Sequence, residues 1–115
     1  MKKTRYILSC EDMGVFLGTY DGEELGYKDD GRIFACFSAN NPFKLTTVCS
    51  FRTERAAEVF KKDMFGATKR DKMYTLPVES EDEFPSVVDI VKAGHTDDCI
   101  DMLELLFESG NQTIH

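Results

Sequence analysis

Residues 6–20 read Tyr-Ile-Leu-Ser-Cys-Glu-Asp-Met-Gly-Val-Phe-Leu-Gly-Thr-Tyr (YILSCEDMGVFLGTY), and the pairing of this stretch decides the fold. Tyr6–Cys10 and Gly14–Tyr20 are rich in aromatic and aliphatic residues, with the polar turn Glu11–Gly14 between them. Two such runs joined by a short polar connection predict a β-hairpin. The connection is too short for a parallel crossover, so the sheet that grows from it is antiparallel.

Working outward, Asp21-Gly22 marks a turn, and the glycine-punctuated loop to Gly31 is expected to hold at most a short strand near Leu25–Lys28. Arg32–Ser38 (RIFACFS) is apolar at Ile33, Ala35 and Phe37 on one face and at Phe34 and Cys36 on the other. That pattern predicts a central strand covered on both sides. After the turn residues Ala39–Pro42, Lys44–Arg52 alternates as a further strand. Thr53 then caps a helix over TERAAEVFKKDMF, with Ala56, Ala57, Val59, Phe60 and Met64 inward, Lys61 and Lys62 outward, and Gly66 as the stop. Met73–Val78 is β-like but contains Pro77, which places it at a sheet edge. Ser86–Ala93 predicts a short helix stopped by Gly94, and Asp97–Ser109 a last amphipathic helix.

The order β-β-β-β-α-β-α-α predicts a single α+β domain over residues 1–115, with a mainly antiparallel sheet of four to five strands and about three helices on one face. The length and the 42% apolar content suffice for one core. Residues 1–78 carry a balance of +2, whereas residues 79–115 hold one lysine and ten acidic residues, a balance of −9. This acidic helical C-terminal part repels nucleic-acid backbones and attracts basic partners.

No segment is long and apolar enough to span a bilayer, and the apolar run Tyr6–Leu8 is too short for a signal peptide, so a cytoplasmic location is expected. The four cysteines have no metal-finger spacing and read as reduced core thiols.

The densest collection of reactive residue types is GHTDDCID, Gly94–Asp101. Thr96 serves as an N-cap, Asp97 and Asp98 complement the helix dipole, and Cys99 and Ile100 open the apolar face. Only His95 lacks a structural duty. Residues Asp97 to Cys99 point about 100° apart on a helix and do not converge on a metal, and neighbouring carboxylates oppose a Cys99 thiolate. No catalytic residue, metal ligand or cofactor site is assigned. Lys61, Lys62, Lys69, Arg70 and Lys72 could form a basic patch, but Asp63, Asp71 and the acidic C-terminal part argue against direct nucleic-acid binding.

The remaining working surface is acidic. Asp97, Asp101, Glu104 and Glu108 form one stripe of the last helix, and Glu81, Asp82 and Glu83 lie in the linker before Phe84. Leu105 falls outside the wide apolar arc, which suggests burial against a second subunit and a homodimer through the last helix. The leading expectation is a non-enzymatic protein that binds another protein, with a basic surface, through Glu81, Asp82, Glu83, Asp97, Asp101, Glu104, Leu105 and Glu108. The alternatives are a small enzyme or ligand-binding domain with a cleft near Asp63, His95 and a buried thiol, and a nucleic-acid mimic. In size, acidity and the passage from short hairpins into FRTERAAEVF (Phe51–Phe60), the chain is similar to many small accessory proteins of bacteriophages and prophages. That resemblance implies binding to host proteins and assigns no site residue.

Overall fold

In the computed structural model of the protein the hairpin forms as its sequence requires, with β1 at Lys3–Cys10 and β2 at Gly14–Asp21. The structure describes residues 2–26, 32–39, 44–45, 47–69 and 72–95. Among them β3 spans Ile33–Phe37, α1 Glu54–Lys69, β4 Met73–Ser80 and α2 Val87–Lys92. The strands make one antiparallel sheet in the order β3-β2-β1-β4. No helix among the described residues is long and apolar enough to cross a membrane.

The hairpin opens after two paired positions, Cys10 with Gly14 and Ser9 with Val15. Past that point the chain ending at Phe51 borders β1, and the Tyr6 and Phe51 backbones exchange two hydrogen bonds of 2.8 Å. Among its described residues, the segment expected as a full strand over Lys44–Arg52 therefore contributes a single bridge. Its alternation holds near the end, since Val48 packs into one cluster and Cys49 and Phe51 into the other, but Leu45, expected on the face of Cys49, joins the cluster of Val48. On the far side, β2 carries a bulge between Phe16 and Gly18, and Gly18 takes φ +140°, a region that favours glycine.

Two further expectations need correction. Arg32–Ser38 reads as a central strand, but among the described residues β3 is an edge, and Ile33 remains 66% exposed. The helices do not share one face either. Ile7, Val15, Leu17 and Val78 form one cluster with Val87 and Ile90 of α2, whereas Leu8, Cys10, Phe16 and Met73 form another with Ala57, Phe60 and Phe65 of α1. Neighbouring strand residues point to opposite faces, so α1 and α2 lie on opposite sides of the sheet. Sequence order does not fix which side a helix returns to.

Pro77 does occupy an edge strand, paired with Tyr6 of β1. Tyr6 directs its own N–H and C=O to Phe51, so the Tyr6/Pro77 pair exchanges no backbone hydrogen bonds. The missing proline N–H thus falls on the outer edge, where the ladder does not need it.

Thr53 caps α1 as expected, its Oγ1 accepting the Ala56 N–H at 3.0 Å. Gly66 interrupts the helix at φ +56°. The buried side of α1 is rotated from the expected arc: Val59 and Met64 are exposed, and Lys61 is buried. Its ammonium meets Glu58 at 2.8 Å, and the Thr75 hydroxyl donates to the same carboxylate at 2.8 Å. These two bonds hold the Glu58 carboxyl below its ordinary range.

Candidate functional site

The described part of the acidic region is a hoop, Glu81–Pro85, between β4 and α2. Its geometry begins with Ser86-Val87-Val88-Asp89, a serine and a carboxylate at capping-box spacing. The Asp89 Oδ2 accepts the Ser86 N–H at 2.8 Å and the Ser86 hydroxyl at 3.0 Å, while the Ser86 Oγ accepts the Asp89 N–H at 3.3 Å. The buried Ser80, at the end of β4, donates its hydroxyl to the same Asp89 oxygen at 2.9 Å. One carboxylate therefore ties both ends of the hoop. The Ser80 Oγ also accepts the Asp82 N–H at 3.1 Å, which turns the first corner.

The Ser86 N–H is the main cause that holds the Asp89 carboxyl below its usual range; burial opposes it, and the Ser80 and Ser86 hydroxyls and the Lys92 charge add smaller downward effects. Pro85 is buried directly before the cap, and Ile90, at the fourth helical position, is fully buried. These are the two positions of a hydrophobic staple. Glu81, Asp82, Glu83 and Phe84 are all exposed.

A basic wall faces the hoop. The Arg5 Nε donates to the Ser50 Oγ at 2.7 Å and its Nη2 to the Ser50 carbonyl at 3.2 Å, which fixes the guanidinium 5.1 Å from the centre of the Phe84 ring. Lys3, Arg5 and Arg52 share a cavity of about 550 Å³ with Glu81, Asp82 and Glu83. A second cavity of about 570 Å³ lies towards α2, where Glu79, Glu81, Asp82 and Asp89 outnumber Lys2 and Lys92.

Of the expected interaction residues, the structure brings Glu81, Asp82 and Glu83 onto one hoop. Asp97, Asp101, Glu104, Leu105 and Glu108 lie outside the described residues, as do Cys99 and the last helix as a whole.

His95 has a structural duty after all. Its N–H donates to the Ile90 carbonyl at 3.2 Å and the Gly94 N–H to that of Val91 at 3.0 Å, with Gly94 at φ +93°. Together these bonds make a Schellman ending for α2. The His95 Nε2 lies 3.4 Å from the Pro77 carbonyl oxygen.

The geometry does not draw the parts of a cleft around Asp63 and His95 together. Asp63 is exposed on α1, across the sheet from α2 and His95. Cys10 and Cys36 are buried and Cys49 is half-buried, all three as free thiols. Burial pushes the Cys36 and Cys49 thiols up, with Arg5 opposing at Cys49. Among the described residues no three His, Cys, Asp or Glu side chains converge on a metal position. The basic patch is partly spent as well, since Lys61 pairs with Glu58 and Lys72 with Asp12 at 2.8 and 2.9 Å.

Sequence reasoning missed Asp89, Ser80 and Arg5. The capping-box spacing could have revealed Asp89, whereas Ser80 and Arg5 acquire their roles from contacts distant in sequence. No protein-family model, curated protein or solved structure matches the chain.

Proposed function

We propose that the protein is a non-enzymatic binding protein that engages a protein partner with a basic surface through its acidic C-terminal part. The observation that carries this reading is the pinned hoop: Asp89 holds both of its ends, and Glu81, Asp82, Glu83 and Phe84 project outward from it. A segment fixed before binding loses less conformational freedom on association. An exposed aromatic beside charged groups supplies apolar contact area where the carboxylates supply orientation. The balance of −9 over residues 79–115 extends the same electrostatic preference along the chain.

The test is affinity capture from host lysate at about 0.05 and 0.5 M salt, because screening weakens contacts between exposed charges. One variant reverses Glu81, Asp82 and Glu83; a second reverses Asp97, Asp101, Glu104 and Glu108. A partner retained at low salt should be released at high salt and lost from at least one variant. Undiminished capture by both variants would sink the acidic-face reading.

A further inference from the structure

The groove beneath the hoop has one wall of each sign. Lys3 and Arg5 from β1, with Arg52 just before α1, supply three cations; Glu81, Asp82 and Glu83 supply three anions. The two walls do not close on each other. The ion pairs among the described residues are Lys61 with Glu58 and Lys72 with Asp12, so none bridges the groove. Phe84, 57% exposed, stands beside the groove with Arg5 over one face of its ring, and Val88 is 53% exposed on α2. Arg5 is held by Ser50, so the ring and the cation over it are preset.

Within the groove a surface of one sign is matched on one wall only: a basic one by Glu81, Asp82 and Glu83, an acidic one by Lys3, Arg5 and Arg52. A surface that carries both signs side by side is matched by itself under a two-fold rotation, which sets each acidic wall against a basic one. From this charge complementarity we propose that the groove and Phe84 form an isologous contact with a second copy of this chain, Glu81–Glu83 of each copy facing Lys3 and Arg52 of the other. Phe84 supplies the apolar centre of that contact. Each chain carries −7 overall, which opposes pairing, so the contact is weak and concentration-dependent. The proposal shares the hoop with the function above but needs no other protein. Because the hoop is shared, a second copy and a basic partner compete for it.

The experiment is sedimentation equilibrium of the purified protein from about 10 μM to 1 mM, a range that captures dissociation constants of weak dimers. Wild type should show a monomer–dimer equilibrium. K3E/R52E and E81K/E83K should each weaken it at least about tenfold, the size expected when close charge pairs turn repulsive. The combined variant K3E/R52E/E81K/E83K keeps the net charge of wild type and should recover the dimer to within about threefold. F84A should weaken pairing without changing the circular dichroism spectrum. A wild type that stays monomeric throughout overturns the proposal, as does a folded combined variant that fails to recover. Either result leaves the proposed function intact, because no other protein enters the measurement.

Discussion

The two faces of the sheet are stabilised in different ways. Under α1, Phe16 meets the rings of Phe37, Phe60 and Phe65 at 5.4–5.6 Å, and Phe51 meets Phe60 at 5.2 Å. Aromatic pairs at this spacing add about 0.5–1.5 kcal/mol each beyond the area they bury. Under α2 the fully buried core is mainly aliphatic, from Ile7, Val15, Leu17 and Val78 to Val87 and Ile90, with Tyr20 and Phe34 only partly buried against it. A six-residue helix does not persist alone in water. It is held by two buried anchors, a capping box at its start and a Schellman ending at its close. One face thus relies on packed rings, the other on aliphatic packing joined to a few directed hydrogen bonds. The second kind of face can present a shaped loop, because the bonds that cap the helix also fix the chain that enters it.

The largest expected effect breaks the ring face. Phe16→Ala removes the ring common to three of these contacts and should cost about 3–5 kcal/mol in urea unfolding. Ile90→Ala on the opposite face should fall towards the lower part of a range of about 2–5 kcal/mol. Both variants should unfold in one transition if the faces share a single cooperative sheet. A separate early transition in Ile90→Ala would show that the α2 face unfolds by itself.

A smaller effect sharpens the role of directed bonds. Asp89→Asn replaces the carboxylate that accepts from Ser80 and Ser86, and should cost about 0.5–2 kcal/mol at neutral pH. The folded pKa of Asp89 is depressed. Its contribution is therefore fully present above the unfolded value, about 3.9, and is lost as pH falls through the folded one. The gap between wild type and Asp89→Asn should start to narrow as pH falls below about 4 and keep closing as pH passes the lower folded value, when followed by thermal melts across pH. A gap that persists undiminished at pH 2 would show that the charge is irrelevant and that Asn fails for steric reasons.

What could be read in advance divides along the same line. The hairpin at Glu11–Gly14, the Thr53 cap, the edge position of Pro77 and the stop at Gly94 follow from neighbours in sequence, and each appears where its residues require, while Gly66, expected as the stop of α1, breaks a helix that runs on to Lys69. The alternation in Lys44–Arg52 was legible too, but alternation does not say how much of a strand finds a partner. Among the described residues only Phe51 reaches one, beside Tyr6. Similarly, RIFACFS resembles a central strand because both of its faces are apolar, while its place at the edge depends on where β1 and β4 pair. Lys61 looked outward because lysine usually is; Glu58, three residues earlier on the same helix, supplies the partner that makes its burial tolerable. For the site, the acidity of Glu81–Glu83 was evident and the capping-box spacing marks Asp89, but its bond from Ser80 of β4, which closes the hoop, has no local signal.

The smallest effect expected bears on the two faces most directly. Asp63 and His95 are the polar residues around which a cleft could be imagined, yet they belong to opposite sides of the sheet. The bond that matters most at His95 is its backbone N–H to Ile90, which survives removal of the ring. His95→Ala should therefore cost only about 0.5–1.5 kcal/mol, the net value of the ring's contact with Pro77. Asp63→Asn, on an exposed helical position, should shift stability by no more than about 0.5 kcal/mol. In a double-mutant cycle the two changes should add to within about 0.5 kcal/mol, as they do for residues without shared partners. A larger coupling would mean that the sheet transmits, or the chain closes, a contact between its faces, and the separation of the ring face from the hoop face would have to be abandoned.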